Sequence, residues 1–137
     1  MQIVKQRPTP DGTVAVDCGL CTIAMLTGLS YEKILGDVPG YRLVNDHLWM
    51  HYLNLLGFQV DQADENNPPK GVPLYCGITA MLNGKCVHHA IAVDELGRIF
   101  DPANGAPEPG EFTLEQCIVH GRVKIHCCFV VRDRRLM

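Results

Sequence analysis

Val14-Ala15-Val16-Asp17-Cys18-Gly19-Leu20-Cys21-Thr22-Ile23-Ala24-Met25-Leu26-Thr27-Gly28 runs from a short apolar approach into a helix-forming segment. Asp17 is of the type that caps helix N-termini, and Gly28 of the type that closes C-termini, so the helix is expected between them. Cys18 then falls at the first helical position. Unpaired backbone N–H groups and the positive end of the helix dipole favour a thiolate there over a thiol. Among the seven cysteines, Cys18 is therefore the best nucleophile candidate. A nucleophile needs a base, and Val87-His88-His89-Ala90-Ile91-Ala92-Val93 supplies a histidine at the start of a strand-like run.

The rest of the composition narrows the setting. The 137 residues suit a single domain over 1–137, long enough to bury a core. Hydrophobic residues make up 47% and charged residues 20%, a balance that argues for a folded chain. A formal net charge of −3 offers no basic field for nucleic acid, and Arg132-Asp133-Arg134-Arg135 reads as a solvated end. Met1 to Pro8 lacks an apolar secretory core, and no apolar run approaches the roughly 18 residues needed to span a membrane. A soluble, cytoplasmic protein without a membrane partner is expected. The odd number of cysteines fits buried or reactive thiols in a reducing compartment better than a disulfide framework.

Along the chain, Gln2 to Lys5 reads as a short edge strand and Arg7 to Gly12 as a loop. After the Cys18 helix, Leu29 to Leu35 reads as a shorter helix capped by Ser30 and closed at Gly36. Asn45 caps a third helix with Leu48, Tyr52, Leu55 and Leu56 on one stripe and Gly57 at its end. Trp49, Met50 and Tyr52 read as core rather than cleft lining. From Phe58 onward, β-branched and aromatic runs separated by Pro, Gly and Asn indicate sheet. Val72 to Met81 is expected as a strand, Asn83-Gly84 as a hairpin turn, Thr113 as the cap of a helix to about Val119, and Val123 to Val131 as the last strand.

One hairpin carries a functional expectation. Val87 to Asp94 and Arg98 to Asp101 are joined by Glu95-Leu96-Gly97, which suits a type I turn with Gly97 left-handed. With that three-residue loop, Asp94 pairs with Arg98, Ile91 with Asp101, and His89 lies diagonally across from Asp101 on one face. A two- or four-residue loop sends Asp101 to the other face. A carboxylate beside the imidazole would orient the ring and stabilise the imidazolium formed when Cys18 loses its proton.

Asp17-Cys18-Gly19 opening a helix, followed by His89-Ala90-Ile91-Ala92-Val93-Asp94 and Phe100-Asp101-Pro102, resembles the papain-like cysteine peptidases of the C39 type over about Ile3 to Gly105. The resemblance implies an α+β papain-like domain, its N-terminal nucleophile helix packed on an antiparallel sheet. It also implies a catalytic triad of Cys18 as nucleophile, His89 as general base and acid, and Asp101 as the residue orienting His89. The implied activity is hydrolysis of a peptide, protein or related amide through a thioester, with no cofactor and no metal. The family's oxyanion glutamine lies six residues ahead of the cysteine, where this chain has Gly12. Gln6 is the nearest upstream candidate for that role, with Gln2 more distant.

Three other readings of the same residues remain. Cys18-Gly19-Leu20-Cys21 is a Cys-x-x-Cys spacing and fits a thiol–disulfide oxidoreductase, although no strand-helix-strand unit precedes it. A catalytically silent papain-like binding module fits the displaced glutamine. A zinc site from Cys18, Cys21 and Cys127-Cys128 or His126 lacks a second well-spaced pair, and His47 and His51 lack the acidic residue of a metalloprotease helix. Cys76, Cys86, Cys117, Cys127 and Cys128 read as structural, His88 as the weaker base, and Asp94 as a hairpin residue.

Overall fold

In the computed structural model, which describes residues 1–8, 16–82, 85–121 and 123–136, the first helix is α1 (Cys18–Thr27). Gly28 ends it in a left-handed conformation at φ 74° and donates its N–H to Ala24 O at 2.9 Å. Asp17 stands at the N-cap position, but its side chain makes no capping hydrogen bond. Its Oδ2 instead accepts from the Arg7 N–H at 3.1 Å and from the Tyr31 hydroxyl at 2.5 Å. Tertiary donors have taken the carboxylate away from the role that local sequence suggested.

Two further helices follow. In α2 (Tyr31–Asp37), Ser30 Oγ accepts from the Lys33 N–H, and the helix continues one residue past Gly36. In α3 (Asp46–Leu55), Asn45 Oδ1 accepts from the Leu48 N–H, and Gly57 follows with φ 95°. The expected stripe on α3 is corrected: Leu48 is 51% and Leu55 73% exposed, while Trp49, Met50 and Leu53 are buried. Tyr52 and Leu56 of the expected stripe do pack, partly buried, against the core, so the buried face is rotated by about one residue rather than replaced.

The sheet contains β1 (Phe58–Gln62), β2 (Leu74–Leu82), β3 (Lys85–Val93), β4 (Ile99–Phe100) and β5 (Lys124–Asp133). These five strands are antiparallel in the order β1-β5-β2-β3-β4. Alternation assigns the two faces. Tyr75, Ala90, Phe129 and Val131 join Leu20, Ile23, Ile34, Trp49 and Leu53 in the core between sheet and helices. Leu74, Cys76, Ile91, Val93, Cys128 and Val130 form a second cluster with Leu114 of α4 (Leu114–Val119). Apolar burial on both faces explains why these strands read as nearly continuous hydrophobic runs. Thr113 and Gln116 form a reciprocal capping box at the start of α4.

The architecture is α+β: four α-helices among the described residues and an open five-stranded antiparallel sheet. No described helix is long and apolar enough to cross a membrane. Gln2 to Lys5 is not a strand. The segment is instead tied to the loop after β4, with Lys5 Nζ donating to Asp101 O and Ala103 O, and Gln6 N–H to Pro102 O at 2.8 Å. The Asn83-Gly84 turn and residues 9–12 of the N-terminal loop lie outside the described residues.

Candidate active site

The hairpin between β3 and β4 has the register that a three-residue loop dictates. Ala92 pairs with Phe100 and Val93 with Ile99; the Asp94 N–H reaches Arg98 O at 3.1 Å. Gly97 adopts φ 79°, which only glycine takes without strain, and donates to Asp94 O at 2.9 Å. Asp94 is a turn residue: Oδ1 accepts from the Leu96 and Arg98 N–H groups, and Oδ2 from the Arg98 guanidinium.

This register places Asp101 against His89. His89 Nε2 and Asp101 Oδ1 are 2.6 Å apart, and Oδ1 also accepts from the Ala103 N–H at 2.9 Å. The His89 side chain is 10% exposed. Burial alone would lower its pKa, but hydrogen bonds to Asp101 and to Cys18, with the attraction of both groups, raise it to about 9. Asp101 occupies Nε2, so Nδ1 is the nitrogen left for Cys18. Cys18, half-buried at the first position of α1, is thus brought together with His89 and Asp101.

His88 is exposed, its ring tilted against that of His126 with centroids 4.9 Å apart, and both residues also line the cleft beside Cys18. Cys21 is fully buried, and burial followed by the nearby Asp17 carboxylate pushes its thiol well above the usual range. Cys76, Cys117 and Cys128 are also buried. Cys86 is exposed, against the expectation of a structural thiol. His47 and His51 are exposed on α3, the His47 ring edge-on to Phe129.

A cleft of about 320 Å³ opens beside Cys18, with Trp49, Asp46, Tyr75, Gly77 and His89 among its lining residues. Asp46 is held there by the Tyr75 hydroxyl at 2.5 Å and the Cys127 thiol at 3.3 Å. Burial first, then the Asp46 carboxylate, raise the Tyr75 hydroxyl well above its ordinary range and the Cys127 thiol to about 12, so both remain neutral donors. Gly77 makes room for this group, since a Cβ there would lie 2.7 Å from both Asp46 Oδ2 and Cys127 Sγ. Nothing local in the sequence marks Asp46 and Tyr75 as cleft residues; a first-turn acid and a strand tyrosine give no sign of meeting.

Gln6 is half-buried in the strap between Lys5, which is bound to the Asp101 loop, and Arg7, which is bound to Asp17. Asn104 Nδ2 donates to its carbonyl at 3.1 Å. Its backbone therefore passes beside the residues flanking the Cys18–His89 pair, while its side chain is not among those lining the cleft. Gln2 is exposed. Among the described residues, no group of three His, Cys, Asp or Glu is arranged to hold a metal ion. Compared with known proteins, the chain matches no family model and no curated protein.

Proposed function

We propose that this protein is a papain-like thiol hydrolase that cleaves a peptide or related amide bond through Cys18, His89 and Asp101. The observation that carries the reading is the 2.6 Å His89–Asp101 bond on an imidazole whose other partner is the cysteine at a helix N-terminus. The Cys18 thiolate attacks the carbonyl carbon. His89 passes its proton to the departing amine as the C–N bond breaks, leaving an acyl thioester. Water, deprotonated by His89, then releases the acid and regenerates the thiol pair. Asp101 holds the ring and supports its positive charge.

The Cys18 backbone N–H, at the open end of α1, is one donor to the oxyanion; Gln6, whose side chain lies outside the cleft lining, would have to turn into the cleft to be the second. The displaced Gln6 side chain also favours a second reading, a module that keeps the site and lacks turnover. The complete burial of Cys21 weighs against a dithiol redox pair.

The test is the alkylation rate of Cys18 against pH, resolved by mass spectrometry under reducing conditions, in wild type and His89→Ala. Reactivity that persists well below pH 7 and is lost in His89→Ala supports the thiolate–imidazolium pair. Reactivity that rises only near the free-cysteine value of about 8.5 in both proteins sinks the hydrolase reading. An activated Cys18 that is never acylated by peptide or ester substrates leaves the silent module.

A further inference from the structure

The Trp49 side chain has no hydrogen-bond role in the machinery described above. Trp49 is 2% exposed, yet it lines the cleft beside Cys18. An indole is a donor only, and no hydrogen bond from its N–H to a described residue is found. The N–H is not among the described buried polar atoms left without a partner, so it opens to the cleft, where an acceptor arriving from outside can meet it.

The indole is held close to the reacting atoms by the residue next to the nucleophile. A Cβ added at Gly19 would lie 2.3 Å from Trp49 Nε1 and 3.0 Å from Cδ1. Only glycine at position 19 therefore lets the N–H side of the ring reach the first turn of α1. Tyr52 supports the ring from the same helix, edge-on with centroids 6.1 Å apart.

Which part of a substrate lies there follows from the proton path. The leaving amine must depart beside His89, which protonates it, on the β3 wall. We take the acyl portion to run away from His89, toward the part of the cleft lining that Gly19 of α1 and Trp49 of α3 supply. The acceptor suited to a lone neutral N–H donor in that portion is a further amide carbonyl.

We propose that the Trp49 indole N–H binds a carbonyl oxygen on the acyl side of the scissile bond. The site accordingly prefers acyl groups that carry a second amide, as peptidyl groups do, over simple acyl groups. This inference rests on the proposed thiol-hydrolase reading.

The test compares two activated esters, p-nitrophenyl acetate and the p-nitrophenyl ester of N-acetylglycine, in wild type and Trp49→Phe. The ratio of their kcat/KM values cancels the general damage that a substitution does to the site. The ratio favouring N-acetylglycine is expected to fall about tenfold in Trp49→Phe, the range of one neutral hydrogen bond. An unchanged ratio, with wild type acylated by both esters, overturns the role of Trp49 and leaves the triad standing. Wild type acylated by neither ester overturns both.

Trp49 is the single tryptophan, so its indole N–H gives one resonance and allows a test without substitution. That resonance is expected to move downfield when Cys18 carries the N-acetylglycyl thioester and not when it carries the acetyl thioester. Equal responses to the two acyl groups overturn the proposal even where Trp49→Phe fails to fold.

Discussion

His89 is governed by opposing effects of burial and partnership. Burial disfavours its charge, while Asp101 and Cys18 favour it more strongly, and the pKa rises from 6.5 to about 9. The sign for stability follows from linkage: a raised folded-state pKa adds stability that is complete below about pH 6.5 and is lost as the pH climbs through about 9. The contribution is on the order of 3 kcal/mol, at 1.36 kcal/mol per unit. Urea unfolding at pH 6 and pH 9.5 is expected to show that loss in wild type and a much smaller one in His89→Ala. Asp101→Asn, which keeps a hydrogen-bonding shape without the charge, is expected to fall between them.

The same scale decides the oxyanion donors. Gln6→Ala is expected to lower kcat by about 10² with a smaller effect on KM if its side chain reaches the developing charge in the transition state. An unchanged kcat in steady-state assays would remove Gln6 from the site and leave the Cys18 N–H as the donor supported there.

At the level of elements, the site depends on one turn and one helix start. Gly97→Ala places a Cβ at φ 79° and is expected to destabilise the protein by about 1 kcal/mol in thermal unfolding. Because the turn sets the register that brings Asp101 to His89, the variant should also reduce Cys18 alkylation at pH 6. A variant that loses stability alone would show that the ladder holds register without its turn. This part of the site was legible in the sequence: Glu95-Leu96-Gly97 suits a three-residue loop, which the register bears out, and the alternation of a strand carries the argument to Asp101. The buried face of α3 was not legible, since the hydrophobic residues around that helix allow more than one stripe. Only the position of the sheet and α1 selects Trp49, Met50 and Leu53.

For the molecule as a whole, the link between the N-terminal strap, α1 and α2 is a buried carboxylate. Asp17 is 1% exposed; its Oδ2 holds the Arg7 N–H and the Tyr31 hydroxyl, while Oδ1 has no hydrogen-bond partner among the described residues. Tyr31→Phe removes one donor from this carboxylate and is expected to cost about 1–3 kcal/mol in chemical denaturation. A loss under 0.5 kcal/mol would mean that water takes over the bond.

Sequence alone determined the local matters: a helix opening at Cys18 and ending at Gly28, the Asn45 and Thr113 caps, and the three-residue hairpin that sets Asp101 diagonal to His89. Each depends on the conformational preference of a few neighbouring residues or on strand periodicity, so short-range physics suffices. Tertiary structure decided what Asp17 binds, where Gln6 runs, which side of α3 is buried, and that Asp46, Tyr75 and Trp49 share a cleft with Cys18. Those outcomes are contests among partners far apart in the chain, settled by which donors and apolar faces the folded sheet and helices bring together.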